Sequence, residues 1–151
     1  MSGGDREVEV KLIVVSERPR EVVERAAALR ELAGYRLDDR GELRLRDVYW
    51  DTGDRALRRA RCALRLRHQG ESVRVTLKAE GREVRPGTAD RMEIELPWSA
   101  EALERVAGAL DGLGVRLPRP ASAEGEPAAV LGAMGLRVVQ DRVTVRRVRD
   151  V

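Results

Sequence analysis

A chain of 151 residues is the size of one domain and can remove about two thirds of its unfolded surface from water. With 42% hydrophobic residues, only 3% aromatic and no Phe, its core must be built from Val, Leu, Ala, Ile and Met. The 29 basic and 26 acidic residues leave a net charge of +3, and the single cysteine excludes an internal disulfide and a multi-cysteine zinc site.

The first residues, Met1-Ser2-Gly3-Gly4-Asp5, carry no basic segment followed by an apolar one, and no window reaches the length of a membrane span. A cytoplasmic protein without a membrane partner is expected. From Glu7 to Val15 the apolar residues alternate, which predicts a strand with Val8, Val10, Leu12 and Val14 on one side. Glu7, Glu9 and Lys11 then share the other side. Two carboxylates offer hard oxygen ligands to a divalent cation, and the ammonium can touch an anion that the cation carries. Lys11 and Lys78 are the only lysines in a chain whose other basic residues are all arginine. A compact point charge suits a phosphate oxygen near a metal, although chance in an Arg-rich composition gives the same count.

Ser16-Glu17-Arg18-Pro19 opens a helix along which Val22, Val23, Ala26, Leu29 and Leu32 recur, with Gly34 as its stop. Strand character returns from Leu43 to Asp51, before the turn Asp51-Thr52-Gly53-Asp54 and a short Arg-rich helical piece, Arg55 to Ala60. Cys62–His68 and Ser72–Lys78 read as two strands of a hairpin joined by Gln69-Gly70-Glu71. Arg65 and Arg67, then Arg74, Thr76 and Lys78, occupy one face; Leu64, Leu66, Val73, Val75 and Leu77 occupy the other. Cys62 falls on the apolar side, as a buried structural thiol rather than a nucleophile. His68, the only histidine, has no partner motif for a metal cluster or for triad catalysis.

After a polar loop containing Pro86 and Gly87, Arg91–Pro97 alternates again, with Glu93 and Glu95 on one face and Met92, Ile94 and Leu96 on the other. Ser99 caps a helix running to Leu113, whose stripe of Leu103, Val106, Ala107, Leu110 and Leu113 is core. A loop from Pro118 to Pro127 leads to a short helix, Ala128–Met134, ended by Gly135. Leu136–Val148 is a last strand, with Arg142, Thr144 and Arg146 on one face and Val143, Val145 and Arg147 on the other.

About six strands with short connections and two or three helices predict an α+β fold on an antiparallel sheet with helices packed outside. If the sheet curls so that its charged faces line the concave side, a closed or nearly closed β-barrel results. The charged faces carry acids on the first and fifth strands and bases on the third, fourth and sixth. Facing one lumen, they would suit a polyphosphate with its metal; facing water, they would be an ordinary solvated sheet with surface ion pairs.

Glu7-x-Glu9-x-Lys11, the stretch Tyr49-Trp50-Asp51-Thr52-Gly53-Asp54-Arg55-Ala56-Leu57, Ala63-Leu64-Arg65-Leu66-Arg67, Thr76-Leu77-Lys78 and Glu93-Ile94-Glu95 together resemble the CYTH family. These are the triphosphate tunnel metalloenzymes, which include inorganic triphosphatases, thiamine triphosphatases and class IV adenylate cyclases. Each motif alone is weak, but their order over roughly residues 7 to 97 is specific. The resemblance implies a β-barrel tunnel holding a triphosphate with Mg²⁺ or Mn²⁺. It assigns Glu7, Glu9, Glu93 and Glu95 to the metal and Lys11 and Glu9 to catalysis. It assigns Lys11, Arg65, Arg67, Lys78, Arg142 and Arg146 to the substrate, with Arg147 as the alternative if a bulge shifts the last strand.

Family members usually continue into a further hairpin that closes the tunnel. Residues 1–151 are therefore expected to form one CYTH-like domain without those strands, its barrel open, incomplete or completed by a second copy. The expected activity is hydrolysis of inorganic triphosphate or of a small organic triphosphate such as thiamine triphosphate. ATP cyclisation and a non-catalytic triphosphate- or polyphosphate-binding module are the alternatives. A nucleic-acid partner is not expected, because bases are interleaved with acids and aromatic residues are few.

Overall fold

The computed structural model describes residues 12–80, 83–85, 88–89, 92–120, 122 and 124–151, with the backbone alone at 83–85 and 88–89. Glu7, Glu9 and Lys11 lie outside the described residues. The chain divides into two compact units, one formed by the chain up to Gly41 and from Arg147 onward, the other by Glu42–Arg146.

In the first unit, Leu12–Val15 belong to no strand and are exposed. Alternation gives a strand two faces, but only ladder partners hold it, so the strand expected through Val15 is not seen over these four residues. Helix α1 (Pro19–Ala28) starts with proline in its first turn, where a missing N–H costs nothing. It ends at an extended Leu29, earlier than the stop expected at Gly34, and none of its residues is buried. The intervening chain makes a two-stranded antiparallel ladder, β1 (Glu31–Leu32) with β2 (Tyr35–Arg36), across Ala33 and Gly34, both at positive φ. That is the backbone twist a two-residue hairpin requires. Arg149 donates to Asp39 Oδ1 and to the Ala27 carbonyl, each at 2.6 Å, and ties the last residues to this unit.

The second unit holds most of a five-stranded sheet in the order β8-β5-β4-β3-β9: β3 (Asp38–Thr52, its residues up to Gly41 counted in the first unit), β4 (Cys62–Gln69), β5 (Ser72–Ala79), β8 (Met92–Pro97) and β9 (Leu136–Asp150, its residues from Arg147 counted in the first unit). The ladders β3–β4, β4–β5 and β5–β8 are antiparallel. Next to β3, Arg137 reaches the Gly53 carbonyl while Arg46 pairs with Asp141, so β9 also runs antiparallel. A short helix α2 (Ala56–Arg59) joins β3 to β4, and a small bulged ladder, β6 (Glu83–Arg85) with β7 (Thr88–Ala89), occupies the loop read as irregular. Helices α3 (Ala100–Gly112) and α4 (Pro127–Ala133) precede β9.

Cα partners directly opposite each other share a face, so Trp50, Leu64, Leu77 and Ile94 form one apolar row and Val48, Leu66, Val75 and Leu96 the next. Leu103, Val106 and Leu110 of α3 and Val130, Leu131 and Met134 of α4 complete a single buried cluster on that face. Ser99 Oγ accepts from the Ala102 N–H at 3.1 Å and caps α3 as expected. The fold is thus α+β, with an antiparallel sheet and helices outside it. Among the described residues β8 and β9 are open edges rather than neighbours in a closed barrel. No helix among these residues is long and apolar enough to cross a membrane.

Candidate functional site

With one face of the sheet sealed by α3 and α4, the other carries the charge. Its rows, read across the ladders, are Asp47–Arg67–Arg74, Tyr49–Arg65–Thr76–Glu95 and Ala63–Lys78–Glu93. The bases expected on the third and fourth strands and the acids expected on the fifth are therefore cross-strand neighbours.

Asp47 organises the first row. Its carboxylate is buried and accepts two hydrogen bonds from Arg67, Nε at 2.8 Å and Nη2 at 3.0 Å. Arg65 Nε lies 3.8 Å and Arg142 Nη2 3.7 Å from the same carboxylate. The Arg67 hydrogen bond, reinforced by the charges of Arg65, Arg67 and Arg142, holds the Asp47 carboxyl below the usual carboxylate range against the opposing effect of burial. The same bond raises Arg67. Arg142 also donates to the Tyr49 hydroxyl at 3.3 Å and stands 5.8 Å from that ring's centre.

In the second row, Arg65 Nη2 donates to Thr76 Oγ1 at 3.1 Å and to Glu95 Oε2 at 3.3 Å. Arg74 Nε donates to Glu95 Oε1 at 3.0 Å, so Glu95 bridges two guanidiniums. In the third row Lys78 Nζ is 3.0 Å from Glu93 Oε1. Arg146 is exposed and makes no ion pair with a described residue. Of the residues expected to bind substrate, Arg65, Arg67 and Arg142 thus meet on one network with Arg74, and Lys78 stands on the same face in a separate pair with Glu93.

Asp47, Tyr49 and Asp51 were not assigned to the site from the sequence. Parity could have placed them there, because Val48 and Trp50 fix the apolar face of the same strand. Asp51 turns out to fold the motif that follows it. Its Oδ1 accepts from the N–H groups of Thr52 at 2.7 Å and Leu57 at 3.0 Å, and its Oδ2 accepts from the Arg58 N–H at 3.3 Å. Thr52 Oγ1 accepts from the Ala56 N–H and donates to Asp54, which also pairs with Arg59; these bonds hold the Asp54 carboxyl at about 2.

A pocket of about 900 Å³ opens where the third row meets α2. Tyr49, Ala63, Lys78 and Glu93 come from the charged face; Arg55, Arg58 and Arg61 come from α2 and its flanks. Trp50 also lines it, with a buried indole N–H that has no hydrogen-bond partner among the described residues. Cys62, at the same wall, is buried, and desolvation pushes its thiol up to about 11, as befits a structural cysteine.

Glu93 and Glu95 are hard oxygen donors two residues apart on one strand face, with side chains 47% and 32% exposed. In donor chemistry they fit Mg²⁺ or Mn²⁺. Among the described residues no group of three or more His, Cys, Asp or Glu is arranged to hold an ion, and the other expected ligands, Glu7 and Glu9, lie outside those residues.

The CYTH domain family model matches residues 5–151. The chain belongs to the CYTH domain family. No curated protein matches it. This CYTH domain is similar to a candidate adenylate cyclase from Bacillus halodurans, at 20% identity and a TM-score of 0.48, covering 88% of this chain and 60% of that one. A candidate adenylyl cyclase from Hippeastrum, described as having a dominant triphosphatase activity, shares 14% identity with a TM-score of 0.48, covering 88% and 61%. The PH1819 protein of Pyrococcus horikoshii shares 20% identity with a TM-score of 0.37, covering 76% and 54%. The domain therefore spans between 54% and 61% of the length of these three structures.

Proposed function

We propose that this CYTH domain binds a triphosphate with Mg²⁺ or Mn²⁺ on the charged face of its sheet and hydrolyses the terminal anhydride. The observation that carries the reading is the charged face itself: Arg65, Arg67, Arg74, Lys78 and Arg142 share one face, each positioned by a carboxylate or hydroxyl. A guanidinium has five N–H donors. Arg67 commits Nε and Nη2 to Asp47, so its remaining donors can meet a phosphoryl oxygen while Asp47 fixes their direction. Such pre-positioned donors need no reorganisation as charge develops on the transferred group.

Glu93 and Glu95, with Glu7 and Glu9, are assigned to the divalent cation, which would neutralise charge on the phosphoryl oxygens. Arg146 joins the substrate contacts in this reading, and Lys11 and Glu9 orient the attacking water. That water's oxygen bonds to the terminal phosphorus as the bridging P–O bond breaks, giving orthophosphate and diphosphate, and its proton passes to solvent. No side-chain nucleophile is required.

Orthophosphate release from tripolyphosphate with Mn²⁺ or Mg²⁺ tests the reading. Wild type is expected to release phosphate, with Lys78→Ala and Glu95→Gln slower by about a hundredfold, the scale of losing one pre-positioned charge-stabilising group. Release by wild type no faster than by either variant contradicts it.

A further inference from the structure

Resting on the reading of a triphosphate site, we infer that Arg55, Arg58 and Arg61 form an accessory anion site that takes phosphoryl groups beyond the third. The favoured ligand is then a linear polyphosphate of four or more units rather than tripolyphosphate. The pocket beside the Lys78–Glu93 pair carries the argument.

Seven charged side chains line it, but their charges do not cancel. Lys78 is paired with Glu93, and the Asp51 carboxylate is spent on backbone N–H groups of α2. Arg55, Arg58 and Arg61 make no side-chain ion pair or hydrogen bond with any described residue, leaving Glu80 and the hydrogen-bonded Asp51 as the described carboxylates set against three arginines. The contrast within α2 is informative. Arg59, which does not line the pocket, is paired with Asp54, while its neighbour Arg58 has no described partner.

Backbone geometry points the same way. Arg55 and Arg61 stand at φ +62° and +53°, a left-handed conformation that favours glycine, and they flank the four-residue α2 on both sides. Only one other described non-glycine residue, Ala33, has positive φ. Two arginines therefore occupy positions where glycine would be the easier residue, and both line the same pocket.

Three arginines without a described side-chain partner, in a pocket whose described residues carry an excess of positive charge, repel a cationic organic group and attract an anionic one. A thiazolium-bearing triphosphate is a poor match to this pocket. A chain that extends the triphosphate with further phosphates brings the charge the arginines lack.

The test is calorimetric titration in metal-free buffer at fixed ionic strength, where turnover does not interfere. Tripolyphosphate, tetrapolyphosphate, a long-chain linear polyphosphate and adenosine 3′-phosphate 5′-triphosphate serve as probes. Wild type should bind the ligands with more than three phosphates about tenfold tighter than tripolyphosphate, the increment of added charge-assisted contacts. In the triple variant Arg55→Gly, Arg58→Ala, Arg61→Gly that gap should close while the tripolyphosphate affinity stays unchanged. Glycine suits both positive-φ positions, so this variant is expected to fold, and circular dichroism checks it.

A control variant, Arg105→Ala with Arg116→Ala, removes two arginines that do not line the pocket and should keep the gap. Equal affinities in wild type, a gap that survives the triple variant, or a gap that the control closes as fully each overturns the site. The adenosine ligand distinguishes sources: a gap for it alone assigns the site to a phosphate on an organic group and overturns the linear-chain preference. Metal-supported phosphate release from tripolyphosphate by wild type reports separately on the triphosphatase reading.

Discussion

Asp47 shows how a residue without an assigned role can hold a site together. It is buried beneath Arg65, Arg67 and Arg142, and its removal leaves Arg67 without the partner that fixes it. Breaking a buried pair from one side costs about 3–5 kcal/mol, so Asp47→Asn should lower the unfolding free energy by that order in urea titrations at pH 7. The loss should depend on pH. Because the folded carboxyl lies below its unfolded value, its stabilisation is complete above about pH 4 and disappears as pH falls through the lower folded value. The gap between wild type and Asp47→Asn should therefore narrow in melts below pH 4; a gap constant down to pH 2 would contradict the pairing. Cys62 gives a second residue-scale expectation. With its thiol raised to about 11 by burial, it should resist a thiol reagent at pH 8 until the protein is denatured.

At the scale of elements, patterns that hold both faces of a strand were legible in the sequence, and those that depend on distant partners were not. The hairpin Cys62–His68 with Ser72–Lys78 was read within a residue of β4 and β5, because leucine and valine alternate with arginine and the link contains Gly70 at φ +58°. The α3 helix was equally plain from its cap and stripe. Leu12–Val15, by contrast, end the run read as a strand but form none, and β3 begins at Asp38 rather than Leu43, where charged residues gave no periodic signal. The site was partly legible: Arg65, Arg67, Lys78, Glu93 and Glu95 followed from parity and family motifs. Asp47 did not, because an acid in a strand declares its role only once the opposite strand's register is known. The α2 segment depends on Asp51, whose two oxygens accept from N–H groups six and seven residues on. Asp51→Ala should cost about 1–2 kcal/mol, as for a lost helix cap, and Asp51→Asn should recover part of it. Equal stability of both variants with wild type in thermal melts would show that α2 does not need the cap.

Across the larger unit, the sheet has two unlike faces: one is covered by α3 and α4, the other holds an alternating array of acids and bases. Charge removal and core truncation should therefore separate cleanly. Leu66→Ala, at a fully buried position, should lower stability by about 2–5 kcal/mol without altering the chemistry of the folded fraction. Lys78→Ala, at a half-exposed position, should leave the melting temperature nearly unchanged and slow activity by about a hundredfold. The most direct measurement is phosphorus NMR of tripolyphosphate incubated with the domain and Mg²⁺. The account predicts one orthophosphate for each diphosphate formed by wild type, and an unchanged tripolyphosphate spectrum with Lys78→Ala over the same time. A wild-type sample whose tripolyphosphate signals stay intact would contradict it.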